Sequence, residues 1–130
     1  MKTTNNGPVK IPAFVSSWTD DYFHKSAFDM PVDYPSKKIV SFLSRFKKRH
    51  PVKLFRGLNK YNEDNFSIMS WTYDRRVAER YAKESKGRVV EKLFFPAQIL
   101  LDTTILKNEQ KWQLGYDYKI DDKEVLISRV

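Results

Sequence analysis

Val52-Lys53-Leu54-Phe55-Arg56-Gly57 marks the point where the chain changes its period. The segment is short, mostly apolar and ends in a glycine, as a strand does. Pro51 stands directly before it and stops the helix upstream. That helix has Ser36 as its N-cap. Its Ile39, Val40, Leu43 and Phe46 recur at helical spacing, while the lysines and arginines fall mainly elsewhere. Farther upstream, two prolines within residues 30–35 break the chain. Before them a first helix starts at Ser17 or Thr19 and runs toward Phe28. Residues 1–12, with Asn5-Asn6-Gly7-Pro8 and Pro12, read as an irregular arm.

Downstream, residues 59–65 are polar and predict a loop, and residues 66–72 predict a second strand. A helix follows over 75–85, with Val77, Ala78, Tyr81 and Ala82 on its buried face and Glu79 and Lys83 four apart outside. Gly87 is placed to end it. Further strands are expected at 88–95, 99–102 and 124–129. Residues 107–122 are polar and aromatic, too long for a tight hairpin, and read as a functional loop. Helices first, then mostly strands with one inserted helix, predict an α+β fold rather than alternating βαβ units. The 130 residues form a single domain, 1–130, without internal repeats.

Hydrophobic residues make up 41% of the chain and aromatics 15%, which sets it apart from disordered compositions. No apolar run approaches the ~20 residues of a membrane helix, and residues 1–12 lack the apolar core of a signal peptide. With no cysteine there is no disulfide or thiolate metal site. With only His24 and His50 a zinc site has little to draw on, so no metal is expected. The default expectation is a cytoplasmic protein with no membrane partner. A net charge of +8 attracts phosphate backbones, acidic proteins and anionic small molecules alike. Three clusters carry much of it: Lys37-Lys38; Arg45 with Lys47-Lys48-Arg49-His50; and Arg75-Arg76 with Arg80. Each also reads as a solvated helix face.

Three segments put polar groups in apolar settings. Arg56, beside Gly57, needs an anion if buried, and its planar fork suits a phosphate or a carboxylate. A structural carboxylate or an edge facing water answers equally well. Gly57 allows a ligand close to the backbone. Ser70 and Thr72 lie two apart on a strand, so their hydroxyls share a face and Trp71 takes the other. Glu124 opens the apolar run Val125-Leu126-Ile127, with Asp122 two residues earlier. Paired carboxylates divide acid–base and binding work, although residues 121–124 also read as a charged turn.

Taken together, Arg56-Gly57, then Ser70-Trp71-Thr72 leading into Val77-Ala78 and Tyr81-Ala82, then Glu124 before Val-Leu-Ile, resemble the mono-ADP-ribosyltransferases. More narrowly they are similar to the Arg–Ser–Glu branch, which includes arginine-directed toxins, phage transferases and vertebrate ecto-enzymes. The resemblance covers roughly residues 53–128. It implies a split antiparallel sheet with N-terminal helices, and NAD as co-substrate without a metal. Arg56 would hold the NAD phosphates and nicotinamide ribose, and Gly57 would offer backbone hydrogen bonds to the carboxamide. Ser70, supported by Thr72, would position the catalytic glutamate and the nicotinamide end. Glu124 would bind the ribose 2′-hydroxyl and stabilise positive charge as nicotinamide leaves. The segment with Trp112, Tyr116 and Tyr118 would recognise the acceptor, together with Asp122.

Two departures stand out. The family's Glu-x-Glu or Gln-x-Glu is Asp122-Lys123-Glu124 here, and the shorter aspartate reaches less far toward an acceptor guanidinium; Asp121 competes for the same role. The middle residue of the usual Ser-Thr-Ser is Trp71. The implied activity is ADP-ribosyl transfer to a macromolecule. The basic charge inclines the acceptor slightly toward RNA over a protein side chain, and Tyr116 and Tyr118, if exposed, could stack a base. An acidic neutralising partner would suit the same surface. The rival expectations are a basic nucleic-acid-binding module without chemistry, and an NAD glycohydrolase.

Overall fold

The computed structural model describes residues 10–26, 32–58, 67–83, 86–117 and 122–128. Five strands, β1 (Val52–Leu58), β2 (Ile68–Thr72), β3 (Arg88–Phe94), β4 (Ile99–Asp102) and β5 (Glu124–Ser128), form one antiparallel sheet in the order β3-β1-β2-β5-β4. With them are helices α1 (Ala13–Ser26), α2 (Lys37–Leu43), α3 (Arg75–Lys83) and α4 (Asn108–Gln113). The class is α+β, as the element order predicts. The expected loop over 59–65 lies outside the described residues.

Several elements differ from expectation. α1 begins at Ala13, because the Pro12 carbonyl accepts from Val15 and Ser16 N–H at 3.0 and 3.1 Å. Thr19 is therefore inside the helix, its hydroxyl bonded back to the Val15 and Ser16 carbonyls rather than capping a start. α2 is capped by Ser36 Oγ on Ile39 N–H as expected, yet it stops at Leu43. Phe46 lies beyond it and is buried by tertiary packing. In α3 the buried residues are Ala78 and Ala82, while Tyr81 is exposed and Glu79 pairs with Arg75 at 3.5 Å instead of Lys83. Lys86, not Gly87, takes the left-handed backbone after α3 (φ 53°), and the Gly87 N–H donates to the Ala82 carbonyl at 2.7 Å. Within the expected loop 107–122 lies α4, whose first turn is closed by Gln110 Oε1 accepting from Lys107 N–H at 2.9 Å. With no Ser, Thr or Asp at position 107, the usual start signal is missing.

Two apolar clusters lie on opposite faces of the sheet, as side-chain alternation along β5 requires. Leu126 and Ile68 join Val15, Tyr22, Leu43 and Leu114 under the helices. Val125 and Ile127 join Val52, Leu54 and Phe94 on the other face, where Trp71 packs against Phe94 at 4.8 Å. Trp71 therefore points away from Ser70, as strand alternation predicts.

The sheet is unevenly joined. β1 is registered to β3 from Val52↔Phe94 to Leu58↔Arg88, and β2 to β5 from Ile68↔Ser128 to Thr72↔Glu124. Between β1 and β2 the register is the pair Phe55↔Thr72. Gly57 packs its α-carbon against α3: an added Cβ would collide with the Ala78 carbonyl oxygen and come within 2.8 Å of Ala82 N. That close approach of helix to strand accounts for a glycine at 57 without a ligand.

Candidate active site

The register sets Glu124 opposite Thr72 and Ser70 opposite Leu126, so Ser70, Thr72 and Glu124 share one face. Ser70 Oγ donates to Glu124 Oε2 at 2.5 Å. From β1, Arg56 is buried and its Nη1 donates to the Ser70 carbonyl at 2.6 Å. The three residues separated by up to 68 positions in the chain thus meet around one strand, β2. Tyr22 of α1 completes the cluster, its hydroxyl 2.8 Å from Ser70 Oγ. It carries no local sequence signal: Tyr22 reads as one more core aromatic, and only packing of α1 on the sheet brings it to Ser70.

Glu124 is a partly buried carboxyl whose acidity has shifted far. Burial pushes its pKa up to about 7; the Ser70 hydrogen bond opposes this, the nearby Asp122 charge adds to it, and Arg56 pulls it down. Burial outweighs the two stabilising partners. A carboxyl poised near neutrality suits acid–base chemistry, and its ionised form can stabilise a developing positive charge. Tyr22 is held far above the ordinary phenol range, first by burial and then by the Glu124 charge. It is neutral at working pH.

The other expected site residues are arranged less directly. The Thr72 hydroxyl donates to the Asp122 carbonyl at 2.6 Å and accepts from Asp74 N–H at 3.0 Å. It therefore ties together the ends of β2, α3 and β5. Asp122 is not on the strand, because Lys123 takes a left-handed conformation (φ 51°) just before β5. Its carboxylate is held by α3: Arg80 Nη2 donates to Oδ1 at 2.8 Å and Tyr81 Oη to Oδ2 at 3.1 Å. Burial and then the Asp122 charge push Tyr81 up to about 12. Arg80 and Tyr81 are thus site neighbours absent from the sequence-based set.

Tyr116 is not a surface for stacking a base. It is 7% exposed, packs on Phe23 with ring centroids 5.0 Å apart, and its hydroxyl accepts from Asp122 N–H at 3.2 Å. Tyr118 and Asp121 lie outside the described residues. Trp112, on α4, is 73% exposed. The basic clusters are partly spoken for as well. Lys47 Nζ donates to the Pro96 and Ile99 carbonyls, Lys48 sits 4.2 Å from the Tyr73 ring centroid, and Arg76 and Arg80 pair with Asp74 and Asp122.

No family model, no curated protein and no solved structure matches the chain. Among the described residues, no group of three or more His, Cys, Asp or Glu is arranged to hold a metal ion, and no helix is long and apolar enough to cross a membrane.

Proposed function

We propose that the chain transfers ADP-ribose from NAD to a macromolecular acceptor and releases nicotinamide, on an ADP-ribosyltransferase-type split sheet. The observation that carries this is the convergence of Glu124, Ser70 and Arg56: a carboxyl near neutrality, a hydroxyl bonded to it, and a guanidinium beside both. A site offering both charges suits a ligand that bears an anionic diphosphate and a cationic ring. When bound, NAD would supply an ADP-ribosyl group on a good leaving group. Arg56 would hold the phosphates, and the Gly57 backbone the carboxamide. Ser70 would fix the direction of the Glu124 carboxylate. Once ionised, Glu124 would set negative charge where positive charge develops on the ribose, which lowers the barrier.

For the acceptor, the +8 charge favours a nucleic acid, RNA first, over a protein side chain. An acidic protein that neutralises the enzyme would use the same surface charge. Hydrolysis of NAD, with water as acceptor, is the second reading. It is favoured by the engagement of both Asp122 oxygens with Arg80 and Tyr81, which leaves that carboxylate less able to receive an acceptor guanidinium.

Incubation with NAD labelled in the adenylate separates the possibilities. Label on RNA or protein supports transfer, free ADP-ribose supports hydrolysis, and intact NAD with salt-sensitive RNA binding supports a non-catalytic module. Glu124→Gln is expected to cut nicotinamide release by about 100- to 1,000-fold with the circular-dichroism spectrum unchanged. A folded Glu124→Gln protein with full activity removes Glu124 from the chemistry.

A further inference from the structure

Tyr22 lies 48 residues before Ser70 and is 3% exposed. Its ring is fixed between Trp18, stacked at 5.6 Å, and Phe23, edge-on at 5.5 Å. This packing aims the hydroxyl at Ser70 Oγ, 2.8 Å away. A serine hydroxyl has one proton, and Ser70 donates it to Glu124 Oε2. The proton between Tyr22 and Ser70 must then come from the tyrosine.

We infer that Tyr22 is a positioning residue for Glu124 that acts through Ser70: its hydroxyl donates to Ser70 Oγ, fixing the rotamer and polarising the O–H that Ser70 offers the carboxylate. Consecutive hydrogen bonds strengthen one another when each acceptor is also a donor. The chain Tyr22→Ser70→Glu124 therefore favours the ionised carboxylate against the burial that opposes it. The consequence for catalysis rests on the proposed role of Glu124, but the relay itself exists without NAD. Among the described residues, the other charged and titratable groups facing Glu124 are Arg56 from β1, Tyr81 from α3 and Asp122 ahead of β5, with Arg80 of α3 paired to Asp122. They are common to the wild type and a Tyr22 variant, so a difference between the two reports the tyrosine hydroxyl.

The test is a carbon-13 NMR titration of the Glu124 carboxyl in the protein without NAD. In Tyr22→Phe the midpoint is expected to rise by about 0.2–0.5 pH unit, and in Ser70→Ala by more. In the Ser70→Ala background, Tyr22→Phe should add nothing, because the relay is already cut. Incorporation of 3-fluorotyrosine at position 22, nearly isosteric and a stronger donor, should move the midpoint the other way. That variant keeps the test open should Tyr22→Phe fold poorly. An unchanged midpoint in both Tyr22 variants, or a Tyr22→Phe shift that persists undiminished without Ser70, overturns the inference. The same variants are read for NAD cleavage. A midpoint that moves as expected while wild-type protein leaves NAD intact sinks the proposed function and spares the relay. Cleavage by wild type with no midpoint shift does the reverse.

Discussion

On its β5 side β2 is registered residue by residue from Ile68↔Ser128 to Thr72↔Glu124, whereas on its β1 side the register is Phe55↔Thr72 alone. The first seam fixes Ser70 and Glu124 as neighbours on one face, with Leu126 fully buried beside them on the same face. At the second seam an arginine side chain takes up a β2 carbonyl: Arg56 Nη1 on Ser70 O. Strand pairing satisfies backbone groups with other backbone groups. The difference places the proposed chemistry where a long register on one side of β2 meets a short one on the other.

That contrast is open to attack from both sides. The largest expected effect lies in the closed seam. Leu126→Ala should cost about 2–5 kcal/mol of stability in urea unfolding, through lost burial and the cavity left behind. A loss under 1 kcal/mol would mean the ladder is looser than its register implies. At the β1 seam, Arg56→Lys keeps the charge but loses the planar fork, and kcat/KM for NAD should fall about 10- to 100-fold. If Arg56→Lys instead destabilises as much as Leu126→Ala with kcat/KM preserved, the arginine is structural and the contrast collapses.

Glu124 gives two smaller effects, both set by its raised pKa. Its folded value of about 7 exceeds the ordinary 4.5, so the protein gains from the proton it binds there. That gain is complete below about 4.5 and is lost as pH rises through 7. Glu124→Gln, neutral throughout, should therefore be more stable than wild type by roughly 1–3 kcal/mol at pH 8, with the advantage fading by pH 4.5. Equal stability of the two at pH 8 would show that the carboxylate is not strained by its surroundings. The ionised form is the one proposed to act, so kcat/KM for NAD should fall about tenfold per unit below pH 7 and level off above it. A flat profile between pH 5 and 8 would separate catalysis from Glu124 ionisation.

Strand identity was legible because short apolar runs between prolines, glycines and polar stretches are a local signal. β1 to β5 fall within one or two residues of where the sequence puts them. Local signals failed where tertiary contacts decided. Pro12 and its carbonyl, not a hydroxyl residue, start α1, and α4 begins without the usual cap. Phe46 fits the helical period of α2 yet sits outside it. Tyr116 reads as a loop aromatic whose exposure the sequence leaves open, and Phe23 and Asp122 hold it in the interior. Gly57 has a packing role that only the fold reveals, since its missing Cβ lets α3 approach β1.

The amino-acid order alone determined which residue types stand on which strand, and that Ser70 and Thr72 share a face opposite Trp71, because a two-residue period is a property of any extended chain. Only the tertiary structure decided that Arg56, Ser70 and Glu124 meet, that Tyr22 joins them, and that Asp122 turns to α3. Those outcomes depend on register, on a left-handed residue at Lys123 and on helix packing across tens of residues. Each is a long-range choice made by burial and hydrogen-bond satisfaction, which no local window contains.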